Sequence, residues 1–225
     1  ILLLASCSLR TETPIVNFST PNFKIEVSDR GRVSALINTE TGKNYLAQDS
    51  IAPLLSLRVN GIFQNPLSAT SSGCNLYMQF EMQREAQIKV IEKASYITFE
   101  LMALSNPDEV DLVVWGPYPT IIKKIIGETV GVVRGEIFAL GIQALNIKTL
   151  GGYPWYESDR MPQLDFFRSK NSIDMVAPKN EGVLYRVEAA RPTPYGSSLQ
   201  AYSRNRNKAR TVSYTHLTLP TNREV

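Results

Sequence analysis

The stretch Phe23-Lys24-Ile25-Glu26-Val27-Ser28-Asp29-Arg30-Gly31-Arg32-Val33-Ser34-Ala35-Leu36-Ile37 decides the fold class. Phe23, Ile25 and Val27 alternate with Lys24, Glu26 and Ser28, a period of two that sets apolar side chains on one face of an extended strand. Asp29-Arg30-Gly31 interrupts the alternation, which resumes with Val33, Ala35 and Ile37. This is the pattern of a β-hairpin with a glycine turn, one apolar face and one polar face.

The same period continues outward. Thr41-Gly42-Lys43-Asn44 reads as a turn, and Leu55, Leu57 and Val59 follow as a strand. Asn60-Gly61 is a strong two-residue hairpin signal because both residues tolerate positive φ, so Ile62 to Leu67 is the expected return strand. Short apolar runs then recur at Leu76–Phe80, Ile88–Ile91, Ile97–Leu101, Asp111–Trp115, Thr129–Arg134 and Phe138–Leu145. The last two are nearly all apolar and are expected to be buried on both faces. No window before residue 150 carries a convincing amphipathic helix, and Ile121–Ile126 suits about one turn. Regularly spaced strands without helices predict an all-β fold, an antiparallel β-sandwich or barrel.

After Leu150 the pattern changes. Residues 151–180 hold Gly151-Gly152, Pro154, Pro162 and Pro178, which reads as a long irregular linker. Val183–Ala190 is one further strand, and Arg191-Pro192-Thr193-Pro194-Tyr195-Gly196 breaks the pattern again. The expected organisation is therefore a leader and tether over 1–21, the sandwich over 22–150, the linker over 151–210 and a tail over 211–225.

The two ends bear on origin and address. Ile1-Leu2-Leu3-Leu4-Ala5-Ser6-Cys7 is an apolar run stopping at small residues, as a secretory h-region does. It is far short of the roughly 20 residues that span a bilayer as a helix. Leu4-Ala5-Ser6-Cys7 resembles a bacterial lipobox, which implies acylation of Cys7, a lipid anchor, and an outer-membrane or periplasmic location. Ser213–Val225 resembles the peptide obtained when a sequencing adapter is translated, although Tyr214–Leu219 also reads as a short strand. The one histidine of the chain, His216, lies in that tail. The rest of the sequence therefore offers no imidazole base for a Ser-His-Asp or Cys-His device.

Composition narrows the class. The chain has 225 residues, 43% hydrophobic and 20% charged, which excludes extensive disorder, a collagen repeat and a coiled coil. Two cysteines cannot build a disulfide framework, and Cys74 reads as an unpaired, buried thiol. The net charge of +3 is concentrated at one end. Arg204, Arg206, Lys208, Arg210 and Arg223 lie beyond residue 202 with only Glu224 opposing them, and the rest of the chain is close to neutral. A nucleic-acid partner is not expected from such a body.

The glycines of Gly127-Glu-Thr-Val-Gly131-Val-Val-Arg-Gly135, with Gly141, match neither a dinucleotide fingerprint nor a P-loop, and strand ends or bulges account for them better. No cofactor motif or metal-ligand spacing is present, so no cofactor and no metal is expected. Trp115-Gly116-Pro117-Tyr118-Pro119 and Tyr153-Pro154-Trp155-Tyr156 place both tryptophans beside prolines and glycines. Two readings stand for these rings. Held on rigid loops, they are platforms for the apolar face of a sugar ring; alternatively they cap the sandwich where its strands stop. Trp115, Tyr118, Tyr153, Trp155 and Tyr156 are the candidate carbohydrate-binding residues. The nearby carboxylates are Asp108, Glu109, Asp111, Glu157, Asp159 and Asp165. Glu157 and Asp159, two residues apart, reach about 6–7 Å in an extended chain, a permissive spacing for glycoside hydrolysis. Most such pairs are simply solvated, with Arg160 as an ordinary surface partner of Asp159. No catalytic residue is assigned.

Asn22–Leu150, with Trp115-Gly-Pro-Tyr-Pro-Thr120 and Ile126-Gly-Glu-Thr-Val-Gly-Val-Val133, resembles the N-terminal galactose-mutarotase-like β-sandwich of glycan-degrading enzymes from gut Bacteroidetes-type bacteria. The resemblance implies a supersandwich-like fold and an ancillary role beside a catalytic domain, in a glycoside hydrolase acting on polysaccharide or oligosaccharide. True mutarotases use a histidine acid, which this body lacks. The alternative readings are a non-catalytic glycan-binding surface lipoprotein and a purely structural adhesion sandwich.

Overall fold

The computed structural model describes residues 14–48, 50–127, 131–152 and 189–205, and the backbone of 216–220. Among them the chain is all-β and antiparallel, with sheets packed on one another as a sandwich. The strands in chain order are β1 Pro14–Ser19, β2 Phe23–Ser28, β3 Val33–Asn38, β4 Leu55–Val59, β5 Ile62–Gln64 and β6 Ser68–Ser72. Next come β7 Asn75–Gln79, β8 Glu85–Glu92, β9 Tyr96–Leu104, β10 Val110–Thr120, β11 Ile125–Ile126 and β12 Val132–Arg134. The last are β13 Ala139–Gly141, β14 Gln143–Ala144, β15 Thr149–Gly151, β16 Ala190–Thr193, β17 Gly196–Arg204 and β18 His216–Pro220. They form two six-stranded sheets, one containing β15-β17-β10-β4-β5 with β16 on β17, the other ordered β14-β18-β9-β8-β7-β6, and two three-stranded sheets, β1-β2-β3 and β11-β12-β13.

The opening hairpin forms as its alternation demands. Phe23, Ile25 and Val27 are fully buried on β2, and Gly31 makes the turn at φ +68° with its N–H donating to the Ser28 carbonyl at 2.9 Å. One detail differs. Val27 pairs with Val33 and Glu26 pairs with Ala35, so Ser34 is an extra residue in β3, a β-bulge. The bulge shifts the inward face from Ile37 to Leu36, which lies opposite Ile25 in the core, whereas Ile37 lies opposite Lys24.

Asn60 and Gly61 adopt φ 49° and 81°, the two positive values of a type I′ turn, and Val59 pairs with Ile62. The return strand is shorter than expected and ends at Gln64. Pro66 follows, and proline donates no ladder hydrogen bond. β6, Ser68–Ser72, is an edge strand almost wholly exposed, and its serines and threonine carry no apolar alternation to announce it. β7 and β8 show the one-sided burial expected, with Leu76, Met78, Ala86, Ile88 and Val90 inward.

A shared apolar core joins the sheets. Phe99 of β9 meets Trp115 of β10 at a ring-centroid distance of 6.4 Å, and Phe18 of β1 meets Phe99 edge-on at 6.0 Å. Each fully buried large apolar side chain contributes about 1.5–3 kcal/mol. Burial on both faces holds for part of Thr129–Arg134 and Phe138–Leu145. β12 buries only Val133, with Thr129 and Val130 outside the described residues. Phe138, Leu140, Gly141 and Ile142 are buried, whereas Leu145 is exposed. Ile121–Ile126 forms no helical turn; Ile125–Ile126 is a strand.

The boundaries at 22 and 150 are both corrected. β1 pairs along β2 and brings Phe18 into the core, so the sandwich begins by Pro14. β17 lies between β10 and β15, buried from Gly196 to Ser203, so residues 190–204 are integral to the sheet and not linker. The backbone of His216–Pro220 pairs with Tyr96–Glu100 of β9 and with β14, as the short-strand reading of that segment has it.

Candidate functional site

Trp115 and Tyr118 are not loop platforms. β10 runs without a break through Gly116-Pro117, with a register shift against β17 between Trp115 and Tyr118. Gly116 makes this shift possible, at φ +87°, where a Cβ would sit 2.8 Å from the Leu199 carbonyl oxygen and from the Tyr118 nitrogen. Trp115 is 0% exposed and Tyr118 1%. The Tyr118 hydroxyl donates to the Leu54 carbonyl oxygen at 2.6 Å, and burial holds it well above the ordinary tyrosine value, partly opposed by a backbone hydrogen bond at Gly116. A sugar stacks only on an open ring face. The carbohydrate-binding assignment of Trp115 and Tyr118 is therefore corrected: both are core residues. Tyr153, Trp155 and Tyr156 lie outside the described residues, as do Glu157, Asp159, Arg160, Asp165 and Cys7.

The carboxylates beside β10 hold turns together. Glu109 ends the short 3-10 turn Pro107–Glu109 and pairs with Arg84, whose side chain is 1% exposed while that of Glu109 is 54% exposed. Arg84 Nε and Nη1 make no hydrogen bond within the protein, so Glu109 is the charge that compensates this buried guanidinium. Asp111 Oδ2 accepts from the Gly61 N–H at 2.7 Å and lies 3.7 Å from Arg58 Nε, which ties the Asn60-Gly61 turn to β10.

Cys74 is exposed on the β6–β7 turn, not buried, because that hairpin is a sheet edge. Gly127 and Gly131, both at φ +75°, and Gly135 occupy the ends of β11 and β12. Their N–H groups donate to chain carbonyls: Gly127 to Val132 and Gly135 to Phe138. These are turn glycines.

A cavity of about 390 Å³ lies between the start of β3 and the stretches 44–48 and 50–52. Arg32, Val33 and Ser34 line one side, and Asn44, Leu46, Ala47, Gln48, Ser50 and Ala52 the other. Its walls are fixed by backbone bonds. Val33 N–H donates to the Ala52 carbonyl at 2.7 Å, Tyr45 N–H to Leu36 at 2.7 Å, Leu54 N–H to Gly31 at 3.0 Å and Ala47 N–H to Pro119 at 3.0 Å. Asn44 is immobilised because its Oδ1 accepts from the N–H groups of Leu36, at 3.0 Å, and Leu46, at 2.9 Å. Ser34, the bulge residue, has a buried Oγ with no hydrogen bond inside the protein. Sequence reasoning missed this place. Its only trace was a serine in an otherwise regular hairpin, and a bulge is invisible until the pairing register is known.

No helix among the described residues is long and apolar enough to cross a membrane. No protein-family model matches the chain, and no curated protein matches it. The described residues define the class, an antiparallel all-β sandwich.

Proposed function

We propose that this sandwich is the ancillary, non-catalytic region of a secreted carbohydrate-active lipoprotein, a glycoside hydrolase whose acid and nucleophile reside in a separate domain. The observation that carries the reading is how the carboxylates beside β10 are used. Glycoside hydrolysis needs one protonated and one ionised carboxyl facing a common space. Here Glu109 neutralises buried Arg84, and Asp111 holds the Gly61 amide and faces Arg58. Both are committed to turns of the scaffold. The all-β fold and the sequence resemblance supply the carbohydrate context, and the lipobox-like Leu4–Cys7 supplies an acyl anchor at Cys7 and an outer-membrane or periplasmic address. Polysaccharide or oligosaccharide and the protein's own catalytic domain are the partners.

The experiment is affinity-gel retardation of the 225-residue chain in a panel of polysaccharides, with reducing-sugar release measured in parallel. Retention without sugar release supports the ancillary role, and release by this chain alone contradicts it. Mass spectrometry of the protein expressed in a Gram-negative host tests the anchor, which requires a diacylglyceryl group on Cys7.

A further inference from the structure

We propose that Asn60 is a deamidation site held in check by Asp111, whose carboxylate engages the backbone N–H that would have to attack. The inference is independent of the carbohydrate reading and gives Asp111 a protective role beyond tying the turn to β10.

The sequence supplies the reactive pair. Asn60-Gly61 is the one Asn-Gly step of the chain. In such a step the glycine nitrogen loses its proton and attacks the side-chain amide carbon of the asparagine. An N–Cγ bond forms, the Cγ–Nδ2 bond breaks, and ammonia leaves with the proton, giving a cyclic succinimide. Water then opens the ring at either carbonyl, to aspartate or to isoaspartate. Glycine favours the attack because no Cβ crowds its nitrogen. The surroundings are open as well. Asn60 and Gly61 are both exposed, and a Cβ built on Gly61 meets no atom within 4 Å. Solvent therefore reaches both the cyclisation and the hydrolysis.

The fold supplies the restraint. The Gly61 N–H donates to Asp111 Oδ2 at 2.7 Å. A carboxylate is too weak a base to take an amide proton, and its negative charge opposes the amide anion that attack requires. The bond also fixes the Asn60–Gly61 peptide plane, which must rotate to bring the nitrogen onto Cγ. Asp111 is itself held in place. Its side chain is 16% exposed with Arg58 Nε 3.7 Å away, and its carbonyl accepts from the Asn205 N–H at 2.9 Å.

Both products act on the sheet edge. Isoaspartate routes the main chain through Cβ and Cγ, lengthening the two-residue turn that sets the Val59–Ile62 pairing. Aspartate places a second carboxylate beside Asp111. Either change loosens β5.

The test is incubation of the 225-residue chain, folded and in urea, in warm and mildly alkaline buffer. Peptide mass mapping and isoaspartyl methyltransferase labelling follow Asn60, and circular dichroism confirms that each variant is folded. Asn60 should react in urea and more slowly in the native chain. Asp111→Ala should raise the native rate about tenfold or more, the worth of one hydrogen bond to a charged group. Asp111→Asn keeps an acceptor oxygen without the charge and should raise it less. Glu109→Gln loosens the neighbouring turn without touching Gly61 and should leave the rate near wild type. No reaction at Asn60 in urea, or equal rates in urea and in the native chain, overturns the proposal. A wild-type rate in Asp111→Ala overturns it as well. So does a slower one, because the carboxylate would then be promoting the attack.

Discussion

The Tyr118 hydroxyl and the Leu54 carbonyl oxygen lie 2.6 Å apart inside the core, joining central strand β10 to the residue just ahead of β4. Leu54 in turn donates its N–H to Gly31, at the turn that leads into the bulged strand. One buried hydrogen bond thus couples the middle of the sandwich to the turn before β3.

Tyr118→Phe removes that bond and leaves a buried carbonyl short of a donor. The expected loss is about 1–3 kcal/mol at neutral pH, read by urea denaturation. The same variant changes the alkaline limb. Burial raises the folded-state value of this phenol above the ordinary 10.0. The native state therefore keeps its proton where the unfolded chain has released it, and stability falls as pH rises above about 10. A smaller fall over that range is expected in Tyr118→Phe than in wild type.

Trp115→Ala destabilises the fold and does not selectively impair binding. The ring is fully buried against Phe99, and truncating a buried tryptophan costs about 3–5 kcal/mol. Circular dichroism melting should show a large fall in Tm. Any loss of glycan retention should track the unfolded fraction, and a stable variant with lost retention would reinstate the stacking role.

Two glycines separate strain from collision. Gly61 has open space around a built Cβ but sits at φ +81°, so Gly61→Ala should cost about 1–2 kcal/mol. At Gly196, where β17 begins, a Cβ would lie 2.1 Å from the Thr120 carbonyl oxygen and 2.8 Å from Ile121 backbone atoms. Backbone cannot step aside as a side chain does, and Gly196→Ala should cost about 3 kcal/mol or more. Chemical denaturation of the two variants side by side checks the order.

Glu109→Gln leaves the buried Arg84 guanidinium without its compensating charge. A loss of about 1–3 kcal/mol is expected, below that of a wholly buried pair because Glu109 is half exposed. Adding Arg84→Met to Glu109→Gln should recover part of it, since an apolar side chain needs no partner there. A double-mutant cycle measures the coupling.

What was legible in the sequence follows the physics of alternation. Phe23–Val27 and Leu55–Asn60-Gly61 announce themselves because one face is apolar and the turn residues demand positive φ. β17 stays hidden for the opposite reason. It is buried on both faces, yet much of what it buries is polar, paired inside: Ser197 with Thr120 at 2.7 Å and Ser203 with Thr149 at 3.0 Å. Satisfied serines leave no periodic trace. Trp115-Gly116-Pro117-Tyr118 misleads in the same way, because glycine and proline read as a loop while the register shift against β17 keeps the strand running. Ser34 could not be singled out at all, since its place in the bulge comes from pairing register and not from its neighbours in sequence.

The central claim is that this sandwich engages carbohydrate without hydrolysing it. The most direct measurement is migration of the 225-residue chain in native gels cast with and without a panel of plant and microbial polysaccharides, with released reducing ends quantified on the same samples. The account predicts slowed migration with at least one polysaccharide and no released sugar above background. Unchanged migration with every polysaccharide, or sugar release by the chain alone, would contradict it.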